Sequence, residues 1–236
     1  MSLKRLKQQI LSKFNKKFPY KVIENDYYKK LSNKYRGKVL PYKRHYKNIL
    51  VIADTHGRLK FHVDDLREIT ERKRIDICVL LGDIFDGTDF DIIFNYLPEN
   101  VKIIGIKGNH DEDDILKKNN IIDIDNKVVE IEGIKFAGME GCIAYKENRI
   151  GPVSEAEGFY KYENLEYADI LISHAPPYKT TYHTDKAHIG SKYISDYIYK
   201  HNVPICIHGH THEVNTKTLS NGTIIYETYM AKIIEV

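Results

Sequence analysis

Residues 48–57 read NILVIADTHG, and residues 75–83 read IDICVLLGD. In each, a run of strand length that is apolar at nearly every position ends in a turn carrying Asp or His. A strand with one solvated face alternates apolar and polar side chains, whereas a continuous run fits a strand covered on both faces. The pattern recurs downstream. VKIIGI (101–106) leads into Gly108-Asn109-His110-Asp111, ADILIS (168–173) into His174, and VPICIH (203–208) into Gly209-His210-Thr211-His212. KVVEI (127–131), IKFAGM (134–139) and TIIYET (223–228) are further strand-like runs. Helical patterns fall at 60–73 and 188–201, with weaker ones at 88–96, 111–119 and 154–166. A β-α-β-α-β start with a β-rich finish predicts α/β layers.

Upstream of residue 48 the composition changes. Residues 1–48 hold fifteen Lys or Arg against two acids, Glu24 and Asp26, while the remainder holds twenty-one basic and thirty-one acidic side chains. The shift near Lys47 divides the chain into a basic extension, 1–47, and a body, 48–236. Within the extension, Leu3, Leu6, Ile10 and Phe14 recur at helical spacing over 3–17, and Pro19 stops that helix. Residues 20–47 are rich in Tyr and Lys with weak periodicity. Tyr27, Tyr28, Tyr35, Tyr42 and Tyr46 have two readings: packing onto the body, or stacking on nucleic-acid bases. Packing is the favoured one.

The 236 residues suffice for one domain with an appendage. No apolar run approaches the roughly 20 residues that span a bilayer, mean hydropathy is -0.46, and no apolar stretch of roughly 7–15 residues follows the first lysines, so a secretory signal is not expected. Membrane partners are not expected. Cys78, Cys142 and Cys206 have no metal-type spacing, so the expectation is buried, reduced thiols in a cytoplasmic protein.

Five strand ends therefore deliver Asp, Asn or His. In α/β sheets, ligands bind beyond the carboxyl ends of strands, so the five loops are expected to converge. Imidazoles and carboxylates together suit first-row divalent metals, and the absence of thiolates argues against a structural zinc site. Asp54-x-His56 places two ligands on one turn. A carboxylate such as Asp83 can bridge two ions, and the His210-x-His212 pair can be divided between them. Two ions roughly 3.5–4 Å apart suit in-line displacement at phosphorus. The adjoining glycines, Gly57, Gly82, Gly108 and Gly209, permit tight turns and close backbone approach.

These motifs, in this order, resemble the calcineurin-like metallophosphoesterases, whose signature is Asp-x-His, Gly-Asp, Gly-Asn-His-Asp/Glu, a lone His and Gly-His-x-His. The resemblance covers about residues 48–236. It implies a four-layer α/β/β/α sandwich of two mixed β-sheets flanked by helices, here preceded by the basic N-terminal extension. It also implies two divalent metal ions, with Mn the leading candidate and Fe, Zn, Ni and Co the others. By motif, Asp54, His56 and His212 would hold the first ion. Asn109, His174 and His210 would hold the second, with Asp83 bridging. His110 matches the family's general acid, and Asp86 the acid that orients it. SHAPP (173–177) and HIGS (188–191) look like small phosphodiesterase-like members. In the loop GCIAY (141–145), Ala144 replaces the basic residue usual before the Tyr. Tyr145, Arg149 and His188 are the candidate substrate contacts.

The function this resemblance implies is hydrolysis of a small or nucleotide-like phosphodiester. The alternatives are a Ser/Thr protein phosphatase or phosphomonoesterase, a nuclease using the basic extension, and a non-catalytic scaffold like the retromer subunit of this fold. Gly87 stands where the protein phosphatases carry Arg. Nucleases of the family usually carry further domains, and the retained His110 argues against a scaffold. His208 reads as a strand-end residue. His45, His62 and His201 read as surface residues, while His183, like His188, lies in the loop after SHAPP.

Overall fold

The computed structural model describes residues 21–36, 39, 45–84, 87–144, 151–152 and 154–236. The helix expected over 3–17, its stop at Pro19, Tyr42, and the candidates Asp86, Tyr145 and Arg149 lie outside the described residues.

The described chain opens with β1 (Lys21–Ile23) and α1 (Asp26–Tyr35). An alternating stretch follows: β2 (Asn48–Ala53), α2 (Val63–Arg72), β3 (Ile77–Leu80), α3 (Gly87–Tyr96), β4 (Lys102–Gly105), α4 (Ile115–Lys118) and β5 (Ile122–Asp123). Then come β6 (Val128–Ile131), β7 (Ile134–Met139), α5 (Glu155–Tyr162), β8 (Ile170–Ser173), α6 (Lys192–His201) and β9 (Ile205–His208). The chain ends in β10 (Asn215–Leu219), β11 (Ile224–Glu227) and β12 (Met230–Glu235).

Two mixed sheets form. The five-stranded sheet has the order β12-β2-β3-β4-β5 and the seven-stranded sheet the order β1-β10-β11-β9-β8-β7-β6. Strands β2 to β5 are parallel, as short crossovers through helices require. The continuous apolar runs are explained by this stacking. Along β2, Ile49, Val51 and Ala53 face the layer between the sheets, with Ile77, Val79, Ile170, Ile172, Ile205 and Ile207. Leu50 and Ile52 alternate to the other side and meet Leu66, Leu80, Phe90 and Ile93 under the helices. A third apolar layer covers the outer face of the seven-stranded sheet, where Tyr193, Tyr197 and Ile198 of α6 pack with Leu171 and Cys206. Burying each such side chain contributes roughly 1.5–3 kcal/mol. The result is the expected α/β/β/α sandwich.

The described part of the extension belongs to this architecture. β1 pairs in parallel with β10, Lys21 opposite Lys217. Asn25 caps α1 by accepting from Tyr28 N at 3.2 Å, and α1 lies on α6. Tyr28 is fully buried. Its hydroxyl bonds to Tyr178 O at 2.7 Å and Ser195 Oγ at 3.1 Å.

Several elements differ from the sequence expectations. α1 occurs where weak periodicity predicted none, because its cap and its buried Tyr28 and Leu31 replace a long apolar stripe. α4 is shorter than 111–119, because Asp111 is drawn into the strand-end loops. α6 begins at Lys192, not at residue 188. Gly190 (φ 86) turns the chain so closely over the Pro176 and Pro177 carbonyls that a Cβ would collide with them. The three cysteines are free and buried.

Candidate metal centre

The carboxyl ends of β2, β3 and β4 from one sheet, and of β8 and β9 from the other, meet at one edge of the sandwich. Backbone bonds join the loops: Asp54 N donates to Gly82 O, His56 N to Asp83 O, and Gly209 N to His174 O. The glycines matter where they touch the carboxylates. A Cβ at Gly108 would overlap Asp83 Oδ1, and one at Gly209 would lie 2.5 Å from Asp54 Oδ2.

All seven candidate ligands are brought together. Asp54, His56 and His212 can each aim one ligand atom at a common point, and so can Asp83, His174 and His210. Asn109 joins the second group, its Oδ1 3.1 Å from His174 Nε2 and accepting from Cys142 Sγ at 3.3 Å. Asp83 Oδ2 lies 3.7 Å from His56 Nε2 and 3.6 Å from His174 Nε2. One carboxylate thus faces both groups. The second group is buried, while His56 and His212 are part-exposed and form the mouth.

Hydrogen bonds select the tautomers. His174 Nδ1 donates to Leu81 O at 2.7 Å, and His210 Nε2 donates to Ala187 O at 2.9 Å. The remaining nitrogens, His174 Nε2 and His210 Nδ1, face each other 3.1 Å apart. His56 Nε2 and His212 Nε2 stand 3.2 Å apart. Ligating histidines bind through one nitrogen and donate from the other in this way. Asp54, His56, Asp83, His210 and His212 all have positive φ, between 47° and 70°. For side chains larger than glycine this backbone costs of order 1–3 kcal/mol each and collects at functional sites.

The electrostatics also point to cations. Burial raises the Asp54 carboxyl to about 7; His174 opposes this shift and Asp83 adds to it. Burial would lower His174, but the Asp83 and Asp54 carboxylates outweigh it and raise the ring. Burial holds His210 well below the usual imidazole range, aided by His174. Burial also lowers His56 and His212. A cation relieves both halves of this conflict, since neutral rings and ionised carboxylates are the ligating forms.

The residues present fit divalent metal. Asp54 Oδ1 is buried without a hydrogen-bond partner, a costly state for an acceptor-only atom. It lies 3.8 Å from His212 Nε2. Two donors each about 2.1 Å from one tetrahedral ion are roughly 3.4 Å apart, and the spacings above bracket that value.

His110 stands at the mouth. It is exposed, its ring is 5.5 Å from that of His56, and its backbone N donates to Asp83 Oδ1 at 2.8 Å. His188 lies on the rim, its ring 5.0 Å from that of His210. His208 is buried at the end of β9, and burial lowers its pKa.

Sequence reasoning assigned no role to several supporting residues. Asp111 accepts from Asp83 N (2.6 Å), Gly108 N (2.7 Å) and Ile84 N (3.0 Å), tying two ligand loops together. Its place in Gly-Asn-His-Asp was the available signal. Asp89 accepts from Gly57 N and Leu59 N, both at 3.0 Å. Beneath the His-Thr-His turn, Glu227 accepts from Thr211 Oγ1 (2.8 Å) and from Lys217 Nζ (2.9 Å) in a buried pair. Tyr229 stacks on His212, centroids 5.1 Å apart. No local pattern announced these last contacts.

Residues 47–214 match the family model for calcineurin-like phosphoesterases, and the chain belongs to that family. It is 31% identical over 194 residues to an uncharacterized protein of Methanocaldococcus jannaschii, covering 76% of this chain and 87% of that one. A solved structure from Thermus thermophilus shares the fold, with a TM-score of 0.54, 15% identity, and coverage of 80% of this chain and 94% of that one. So does a dimetal phosphatase from Danio rerio, with a TM-score of 0.53, 15% identity, and coverage of 78% and 88%. The chain is accordingly a metallophosphoesterase, and two candidate metal-binding groups meet where these strand ends converge. Among the described residues, no helix is long and apolar enough to cross a membrane.

Proposed function

We propose that this protein is a dinuclear metal-dependent phosphodiesterase acting on a small or nucleotide-like phosphodiester, with His110 as general acid. The observation that carries the dinuclear reading is Asp83. Its Oδ2 stands almost equally far from His56 Nε2 and His174 Nε2, as a bridging carboxylate requires.

Asp54, His56 and His212 would hold one ion, and Asn109, His174 and His210 the other, with Asp83 between them. Mn is the proposed metal, within the set Mn, Fe, Zn, Ni and Co that this donor chemistry accepts. When bound, the pair supplies a nucleophile at neutral pH and neutralises charge on the phosphoryl oxygens. The remaining work falls to the chain. His110, exposed at the mouth and anchored through its backbone on Asp83, delivers a proton to the departing oxygen. Asp86, by its place in the family motif, orients that ring, as the carboxylate of a catalytic triad orients its histidine. Tyr145 and Arg149 would contact the substrate. Asp111 and the Lys217–Glu227 pair hold the ligand loops in position.

The phosphodiester reading is supported by the SHAPP and HIGS segments, and by Gly87 standing where protein phosphatases carry Arg. Buried free thiols support a reducing, cytoplasmic setting. The test is a panel on metal-reconstituted protein: bis-p-nitrophenyl phosphate, p-nitrophenyl phosphate, cyclic nucleotides, a phosphopeptide and single-stranded RNA. The highest kcat/KM is expected on diesters. A clear preference for p-nitrophenyl phosphate or the phosphopeptide overturns the diesterase reading. A preference for RNA would point to the nuclease alternative.

A further inference from the structure

A separate cluster of metal-binding side chains lies outside the seven candidates. His183, Asp185 and His188 each offer one ligand atom, and these atoms lie within 4.8 Å of one another. Asp185 stands between the two imidazoles: its Oδ1 is 2.8 Å from His188 Nδ1 and its Oδ2 is 3.9 Å from His183 Nδ1. The two rings are 5.0 Å apart. His183 turns its other nitrogen, Nε2, toward Glu213 Oε1 at 3.4 Å. No hydrogen bond forms there, and His183 Nε2 is buried without a hydrogen-bond partner, while Nδ1 faces Asp185.

The loop carrying these residues is preorganised. Ala187 N and His188 N both donate to Asp185 Oδ1, at 3.0 and 3.2 Å, and Ile189 N donates to Asp185 O at 3.0 Å. Lys179 N closes the loop on Ile189 O at 2.7 Å. His183 and His188 are half-buried and Asp185 is exposed, so an ion can enter from solvent. With a carboxylate between the imidazoles, the cluster favours a cation over a phosphate oxygen.

We propose that His183, Asp185 and His188 form a third divalent-cation site, on the rim of the dinuclear centre and suited to first-row transition ions such as Zn²⁺. Two imidazoles and one carboxylate favour such an ion over Mg²⁺ or Ca²⁺, which prefer oxygen ligands alone. The site touches the dinuclear centre twice. The His188 ring packs beside that of His210, and Ala187 O accepts the His210 Nε2 proton. Filling the rim site therefore stiffens the loop that fixes the His210 tautomer. The rim site does not depend on the phosphodiester reading.

The full-length protein is stripped with a chelator, loaded with Zn²⁺, desalted, and its metal counted by elemental analysis. Three ions per chain are expected for the wild type. His183→Ala and Asp185→Asn should each retain two, with the metal-free melting temperature unchanged. Loading with Co²⁺ gives a second readout, in which the visible absorption of the third equivalent disappears in both variants. A wild type that holds no more ions than the variants overturns the proposal, whatever the count at the other centre. So do variants that still hold three, or a third equivalent so weak that desalting removes it.

Discussion

His174 Nε2 lies 3.1 Å from His210 Nδ1, and each ring donates its opposite N–H to a backbone carbonyl, Leu81 O and Ala187 O. Both facing nitrogens are thereby directed inward as lone-pair bearers. Without a cation, one proton must serve both, which agrees with the raised pKa of His174 and the lowered one of His210. The centre is built around positive charge that the chain does not supply.

The first prediction concerns stoichiometry at that centre. After mild chelation of the rim site, elemental analysis should find close to two divalent ions per chain. Asp83→Asn should lose metal and activity together, because one oxygen of Asp83 faces both ligand groups. Asp83→Asn protein that keeps two ions and full turnover would remove the bridge.

Metal uptake should release protons, and the pH range follows from Asp54. Its carboxyl is raised from 3.8 to about 7 in the metal-free chain. Between those values the folded chain holds a proton that the unfolded chain has lost, so this group's contribution to apo stability declines as pH rises through about 7. The ion needs the carboxylate, so metal affinity should rise with pH over the same range and level off above it. Calorimetry in buffers of differing ionisation enthalpy should show more proton release at pH 6 than at pH 8. Equal release at both would contradict this assignment.

His110 should act on chemistry and not on metal binding. General acid catalysis contributes about 10²–10⁴-fold, so His110→Ala should lower kcat by that order with metal content intact. The loss should shrink for esters with very good leaving groups, which need little protonation. Equal losses across a leaving-group series would indicate phosphoryl stabilisation instead.

Gly108→Ala should damage the site while leaving the sandwich folded. The added Cβ would occupy the space of the Asp83 carboxylate, and the residue lies at the edge of the sheet, beyond β4. Far-ultraviolet circular dichroism should be unchanged, and metal affinity should fall at least tenfold, about 1.4 kcal/mol. Wild-type affinity would show that the loop can yield.

The basic extension offers a stability test. Tyr28 is fully buried, stacks near Tyr199 at 5.5 Å, and spends its hydroxyl on Tyr178 O and Ser195 Oγ. Tyr28→Ala should cost about 3–5 kcal/mol, as aromatic truncation in a core does. Deleting residues 1–46 should lower the melting temperature further by removing β1 and α1. A truncated protein of undiminished stability that loses salt-sensitive RNA binding would favour a nucleic-acid role for the arm.

Much of this protein was legible in one dimension. NILVIA, IDICVLL and ADILIS are apolar at consecutive positions because both sheet faces are covered, so strand identity and layering follow from the sequence. The candidate ligands follow too, since Asp54, Asp83, Asn109, His174 and His210 each sit where a strand stops and its polar chain end must find a partner. Tertiary structure decided the rest. Packing of the Tyr-rich segment onto the body was the favoured reading, but nothing in the sequence singled out Tyr28 as the fully buried one, because α1 relies on a cap and two buried residues and lacks a long periodic stripe. It could not tell that Asp111 would spend its carboxylate on three backbone amides, or that Tyr229 would stack on His212. It could not place His188 against His210, or Asp185 between two imidazoles. Strand and turn types depend on neighbours in the chain. Tautomers, buried lone pairs and shared carboxylates depend on groups brought together from distant segments, and only packing the two sheets face to face sets those distances.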